Sequence, residues 1–293
     1  DDAVALRALL APGVRLVVVG GGFIGAEVAA TARSLGAEVT IVEMEPTLLA
    51  RSVGVAIGST LAEVHDEAGV ALRCGVPVAG VEGDGRVERV RLADGRAIEA
   101  DVVVVGLGVR PSTDWLLGSG LELADGIVCD ASCRASAPGV VAAGDVARWA
   151  HPRLGPVRIE HWENAVMQGR AAATTLLAAG PPAAYAPVPY VWSDQYEHKI
   201  QVVGRPGPDA ELLVVDGSLA ERRFVALYVE RDVVTGAIAL GRPRSVLKIR
   251  RLLHDDVTVA QVLDVLADGG RPAAPAAELG RALSRMEPTA RSQ

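Results

Sequence analysis

Residues 14–43, VRLVVVGGGFIGAEVAATARSLGAEVTIVE, constrain the fold of this chain more than any other stretch. The apolar run at 14–19 reads as a strand buried on both faces. Gly20, Gly22 and Gly25 follow it directly in the spacing G-x-G-x-x-G. From Phe23 to Leu35 the apolar residues recur at helical intervals, and Ile24, Val28, Ala29, Ala32 and Leu35 are expected on the inner side. Gly36 ends that helix as a left-handed cap does, and VTIVE (39–43) is a second buried strand closing on the acid Glu43. A lone G-x-G-x-x-G is a weak signal, because a plain glycine turn also satisfies it. Set between strand and helix, and answered by an acid at the end of the next strand, it points to a dinucleotide. Gly20 permits the tight turn, Gly22 lets backbone approach a pyrophosphate, and Gly25 lets helix and strand pack closely. The helix N-terminus faces the phosphates. Glu43 is expected to accept hydrogen bonds from ribose hydroxyls and to repel a 2′-phosphate, which favours NAD over NADP.

The chain has 293 residues, half of them hydrophobic, enough for two modest or three small domains. Aromatic residues make up only 3%, so the cores must be built from Val, Leu, Ala and Ile, and each of the four tryptophans counts individually. A formal charge of −7 argues against nucleic acid or an anionic membrane as the main partner. No apolar run reaches the length of a membrane span, and the acidic start DDAVALRALL has no signal-peptide pattern, so a cytoplasmic address is expected. Cys74, Cys129 and Cys133 contain no CxxC and read as reduced structural thiols; as a metal pair, Cys129 and Cys133 are poorly spaced.

Further along, 53–68 is a helix, VERVRLADGRAIEAD turns as a hairpin at Asp94-Gly95, and DVVVVG (101–106) returns to the buried parallel type. GIVCD and GVVAAGD read as strand ends. A helix over 163–177 is expected to bury Ala165, Gly169, Ala172, Ala173 and Leu176. After Gly-Pro-Pro at 180–182 the composition changes to short strands (IQVVG, ELLVV, FVALYVE, GAIALG) followed by helices from Arg244 and near 258–267, an α+β pattern. No Ser-His-Asp set, P-loop or HExxH is present.

GGGFIGAEVAATARSLGAEVTIVE, VVVVGLGVRPS, VVAAGDVA, RIEHWENAVMQG and YVWSDQYEHKIQVVG stand in the order found in the NADH-dependent ferredoxin reductases of bacterial oxygenase systems, the group of the rubredoxin and putidaredoxin reductases. The chain resembles them from Asp2 to about Leu253, most specifically in WSDQY and IQVVG. The resemblance implies an α/β fold: a Rossmann-like NAD domain (1–107), the C-terminal part of a Rossmann-like FAD domain (108–188) and a small α+β domain (189–270). The Ala-, Pro- and Arg-rich composition of the end of the chain reads as a disordered tail over 271–293. It implies FAD and NAD as cofactors, hydride transfer from NADH to flavin, and single electrons passed to a ferredoxin or rubredoxin-type iron–sulfur protein. By position, Gly20, Gly22, Ile24, Gly25, Glu43 and Arg51 resemble the NAD site, and Gly106 and Gly108 the turn that lets cofactor pass close to backbone. Glu27 resembles the carboxylate beside the nicotinamide, and Asp145 the ligand of the FAD ribityl chain. Trp162 resembles the helix start that meets the flavin, and Trp192 the aromatic on the way to the iron–sulfur partner.

Family members carry an earlier βαβ unit with a first G-x-G-x-x-G for the AMP half of FAD, and the sequence from Asp1 onward shows none, so the flavin site is expected to be incomplete and FAD weakly held. The rival reading is therefore a flavin-deficient NAD-binding fragment without turnover. A disulfide reductase of related architecture is disfavoured by WSDQY. Glu27 reads equally as an exposed helix residue, Trp162 and Trp192 as core fillers, and His65, His151 and His254 as structural or solvent-facing. Arg244, Lys248 and Arg251 form a basic helix face, either simply solvated or the place where an acidic ferredoxin docks.

Overall fold

The structure, a computed structural model, describes residues 1–207 and 209–267. The chain divides into two compact units: Asp1–Gly108 with Ser193–Ile200 and Ser218–Arg223, and Val109–Trp192 with Gln201–Gly217 and the chain from Phe224.

In the first unit, α1 (Asp2–Leu9) leads into β1 (Arg15–Val19), α2 (Phe23–Ser34), β2 (Glu38–Glu43), the single turn α3 (Ala50–Val53), α4 (Val55–Glu67) and β3 (Ala71–Cys74). Strands β4 (Val78–Glu82), β5 (Arg89–Leu92) and β6 (Ala97–Glu99) make a small antiparallel sheet, and β7 (Val102–Val105) returns to the main one. That main sheet is parallel, in the order β3-β2-β1-β7, with Val17 paired to Thr40 on one side and to Val103 on the other. Its Rossmann-like character follows from the strand at its centre. Side chains alternate along β1, so Leu16 and Val18 pack with Ala29, Ala32 and Ile41, while Val17 and Val19 pack with Val42, Val90 and Leu92. Both faces are covered, which is why the strand reads as an unbroken apolar run.

Two expectations need correction here. The inner face of α2 is Gly25, Ala26, Ala29, Ala30 and Ala32, whereas Ile24 is 62% exposed and Leu35 42%. Only small residues allow the helix to lie so close to β1, so size rather than hydrophobicity selects the face. Strand β7 is parallel as expected but only half-buried, with Val105 exposed, because it lies at the sheet edge.

In the second unit, β8 (Ile127–Cys129), β9 (Ala147–His151) and β10 (Gly155–Val157) form a three-stranded sheet packed around the fully buried Trp149, whose indole N–H donates to the Tyr185 carbonyl at 3.1 Å. Helix α5 (Trp162–Leu177) follows. Residues 139–145 form no strand beyond an isolated bridge at Val141; the chain there turns through a single 3₁₀ turn, Gly144–Val146. Helix α5 does not bury the small face expected of it. Its buried residues are Asn164, Gln168, Ala172 and Thr175, while Ala173 and Leu176 are exposed. Each of the three polar side chains serves a main-chain group: Asn164 donates to the Ile159 carbonyl, Gln168 accepts the Gly144 N–H, and Thr175 donates to the Ser132 carbonyl. Irregular backbone under the helix needs partners, and that need outweighs the apolar pattern.

The last sheet runs β11-β12-β15-β14-β13, from β11 (Tyr190–Gln195), β12 (His198–Gly204), β13 (Glu211–Ser218), β14 (Arg223–Glu230) and β15 (Val233–Leu240). Val203, Val215, Leu227 and Ala237 pack with Val246 and Ile249 of α6 (Pro243–Leu252) and Val262 of α7 (Val259–Ala267). The expected tail at 271–293 lies outside the described residues. Among the described residues, no helix is long and apolar enough to cross a membrane.

Candidate functional site

The glycine loop between β1 and α2 is built on three backbones that nearly touch. Gly20 has a φ of +102°, and a Cβ there would stand 2.4 Å from the Gly106 carbonyl oxygen. A Cβ on Gly25 would stand 2.0 Å from the carbonyl oxygen of Gly20. No side chain fits at either position. Gly22 differs: its φ is −73°, and a Cβ there would meet nothing within 4 Å. Packing requires Gly20 and Gly25, whereas Gly22 opens onto free space.

That space is a cleft of about 530 Å³. It brings together Gly20, Gly22, Glu43, Arg51, Gly106 and Gly108, all singled out in the sequence. Glu43, at the end of β2, accepts the Gly21 N–H at 2.6 Å and the Glu45 N–H at 2.8 Å. A carboxylate has about four lone-pair sites, so two amides fix its position and leave capacity for hydroxyl donors. Arg51 is largely exposed at the cleft, 4.0 Å from the carboxylate of Glu45. Ile24 and Gly25 do not line it: Ile24 faces outward and Gly25 is inside the helix–strand contact.

Glu27 lies on α2, half-buried, and its carboxylate accepts from the Ser193 hydroxyl at 2.5 Å. Ser193 belongs to a set that sequence reasoning missed. His65 is fully buried, with Nε2 3.0 Å from Gln195 Oε1 and Nδ1 3.1 Å from the Tyr196 hydroxyl. Burial holds its pKa below the usual histidine range, against the weaker effect of the Gln195 hydrogen bond, so the ring is neutral. No local spacing joins His65 to residues 130 positions away. The available signal was S-D-Q in 193–195, where strand alternation puts two polar side chains on one face.

In the second unit, Asp145 sits exposed in the 3₁₀ turn, and Gln168 fixes the turn by accepting the Gly144 N–H at 2.9 Å. Trp162 is the first residue of α5 and 71% exposed, with no role in the core. It meets Trp192 edge-on, ring centroids 6.0 Å apart, and Tyr190 lies 5.7 Å beyond Trp192. The aromatic row is backed by Arg250, missed in the sequence, whose guanidinium lies 4.9 Å from the Tyr190 ring centroid and grips Glu163 at 2.9 and 2.6 Å. Just before α5, His161 keeps Nδ1 buried without a partner. Burial lowers the His161 pKa, opposed by Asp145, leaving a neutral ring beside an acid.

Arg244, Lys248 and Arg251 lie along α6 as expected, but Lys248 donates to the Val265 carbonyl at 3.1 Å, so the exposed charge is that of the two arginines. All three cysteines are free; burial pushes the Cys129 thiol up to about 11 and raises Cys133 and Cys74 as well, which makes them poor nucleophiles. Among the described residues, no group of three or more His, Cys, Asp and Glu is placed to hold a metal ion.

Comparison with known proteins bears on the same elements. The family model for pyridine nucleotide-disulphide oxidoreductases matches residues 1–169, and a reductase C-terminal model matches 190–272. The chain is 40% identical to the ferredoxin–NAD(+) reductase component of an anthranilate 1,2-dioxygenase system from Burkholderia cepacia, over 82% of this chain and 60% of that one. It superposes with a TM-score of 0.82 on a ferredoxin reductase from Rhodopseudomonas palustris, at 36% identity over 88% of this chain and 64% of that one. With putidaredoxin reductase, solved in a covalent complex with putidaredoxin, the TM-score is 0.83 at 32% identity over 91% and 66%. The chain thus spans 60% to 66% of the length of these relatives. With the glycine loop, the acid at the end of β2 and both family models in agreement, the chain belongs to the pyridine nucleotide-disulphide oxidoreductase family.

Proposed function

We propose that the protein serves as an NADH-dependent flavoprotein reductase, passing electrons from NADH through FAD to a ferredoxin-type iron–sulfur protein of an oxygenase system. The observation that carries this reading is the cleft at the glycine loop, where Glu43 clasps the Gly21 amide and Gly22 presents bare backbone. Gly20, Gly22, Gly106 and Gly108 would admit the pyrophosphate against main chain, Glu43 would take the adenosine ribose, and Arg51 would approach the phosphates. Ile24 and Gly25 support the loop from outside the cleft, and Glu27 orients the nicotinamide.

The second unit fits the flavin end of FAD. The turn at Asp145 offers a carboxylate for the ribityl hydroxyls, and the unpartnered buried Nδ1 of His161 is a polar atom that a bound ligand would satisfy. The N-terminal turn of α5, at Trp162, directs its amides and positive dipole end toward electron-rich groups. Held by these residues, FAD would supply the chemistry of hydride acceptance and one-electron release. Residues 1–107 then serve as the NAD domain, 108–188 as part of the FAD domain and 189–270 as the reductase C-terminal domain. Trp192 provides an aromatic path toward the partner, and Arg244 and Arg251 attract an acidic ferredoxin, with Lys248 anchoring their helix. Relatives named as ferredoxin–NAD(+) reductase components support this assignment.

Nucleotide choice tests it. A carboxylate held in place by two amides disfavours a 2′-phosphate, so calorimetric titration should give NADH at least about tenfold tighter than NADPH. Glu43→Ala should narrow the gap. Equal or tighter NADPH binding by the unaltered protein would overturn the reading.

A further inference from the structure

Four buried or half-buried side chains lead in single file to Glu27: Tyr196, His65, Gln195 and Ser193. The hydrogen bonds measure 3.1 Å from the Tyr196 hydroxyl to His65 Nδ1, 3.0 Å from His65 Nε2 to Gln195 Oε1, 3.0 Å from Gln195 Nε2 to Ser193 Oγ, and 2.5 Å from Ser193 Oγ to Glu27 Oε1. His65, Ser193 and Gln195 are at most 1% exposed. Burying three polar side chains is costly unless every donor and acceptor is paired.

The chain has one consistent direction. An ionised carboxylate only accepts, so the Ser193 hydroxyl must spend its single proton on Glu27. Ser193 then accepts from the Gln195 amide, whose oxygen faces His65 and needs the proton on Nε2. That leaves Nδ1 as the acceptor for the Tyr196 hydroxyl. Reversing any link sets two acceptors against each other at Ser193 and Glu27. The direction also excludes a proton wire, because a carboxamide passes a proton only by way of its imidic acid. What the chain transmits is orientation.

Its far end is held under strain. Tyr196 has a φ of +54°, a left-handed conformation that a bulky side chain rarely adopts, in the two-residue turn between β11 and β12. Burial pushes its hydroxyl up to about 12, so it stays a donor at neutral pH. Among the described residues, Ser193 alone hydrogen-bonds the Glu27 carboxylate, through one oxygen, and the other oxygen remains available.

We propose that Ser193, Gln195, His65 and Tyr196 are positioning residues for Glu27, fixing one of its oxygens so that the other meets the carboxamide of the nicotinamide. This rests on the reading of Glu27 as the carboxylate at the nicotinamide end of the cofactor. Two of the four come from S-D-Q, the alternate positions of β11, which gives that short motif a task besides presenting Trp192.

The test compares two ligands of the full chain: NAD⁺, and ADP-ribose, which has the same ribose and pyrophosphate groups but no nicotinamide. Ser193→Ala should weaken NAD⁺ binding by about tenfold, the usual scale for a hydrogen bond to a charged group, and leave ADP-ribose unchanged. Ser193→Thr, which keeps the hydroxyl, should restore NAD⁺ binding. Tyr196→Phe should give a smaller loss, about twofold, in NAD⁺ alone. Glu27→Ala separates the two ideas. If it reduces NAD⁺ binding selectively and Ser193→Ala does not, the relay is wrong and the reading of Glu27 stands. If Glu27→Ala changes both ligands equally or neither, Glu27 is not at the nicotinamide and the relay falls with it. Independently, ¹⁵N NMR of the His65 ring should show the proton on Nε2; a proton on Nδ1 would overturn the direction of the chain.

Discussion

Gly22 and Gly25 stand three positions apart in one loop and answer to different demands. A methyl group on Gly25 would enter the carbonyl of Gly20, with no flexible neighbour to yield. Gly25→Ala should therefore cost more than about 3 kcal/mol of stability, or prevent folding, as seen in chemical denaturation. A methyl group on Gly22 meets no protein atom within 4 Å, and the backbone there suits any residue. Gly22→Ala should change stability by less than about 1 kcal/mol while weakening NADH binding severalfold. Loss of stability without loss of binding would show the cleft is not the nucleotide site. His65 gives a pH dependence. Burial depresses its folded pKa below the unfolded value of about 6.5, so below that pH the unfolded chain binds a proton the folded chain refuses. Its contribution is complete above about pH 6.5 and is lost as pH falls toward the folded pKa. His151 and His161 are depressed by burial too and act in the same direction. The urea midpoint should thus drop between about pH 7.5 and about pH 5.5, with a shallower slope in His65→Gln; an unchanged slope would contradict a neutral buried ring.

Helix α5 shows how an element can be read correctly and turned wrongly. Its span was legible from helical periodicity, yet its buried face carries Asn164, Gln168 and Thr175, because the backbone beneath it forms no sheet. Gln168→Leu should cost about 1–3 kcal/mol, the price of leaving the Gly144 N–H buried without an acceptor. An unchanged urea midpoint would show that water replaces the glutamine. The same logic divides what the sequence disclosed from what it concealed. The β1–α2–β2 unit, Glu43 and the glycine spacing are local, so the cleft was legible. Arg250 with Glu163, and His65 with Gln195 and Tyr196, join residues 87 to 131 positions apart, and local patterns carry no record of such pairs. The inner face of α2 was misread for a third reason: close approach to β1 selects small residues over large apolar ones, and Ile24 is left outside.

The chain's net charge of −7 makes attraction of an acidic partner depend on local basic groups. With Lys248 bonded to the Val265 carbonyl, Arg244 and Arg251 supply the exposed charge of α6. Arg244→Glu with Arg251→Glu should slow ferredoxin reduction roughly tenfold at low salt and much less at high salt, where screening removes steering. Flavin reduction by NADH should be unaffected; equal loss of both steps would make the basic face a folding element. Anaerobic mixing follows the proposed passage of electrons from NADH through FAD to an iron–sulfur protein from one end to the other. Protein supplied with FAD, NADH and oxidised ferredoxin should reduce the ferredoxin over many turnovers, with NADPH a poor substitute. Flavin that bleaches with NADH while ferredoxin stays oxidised would rule out electron transfer to an iron–sulfur partner.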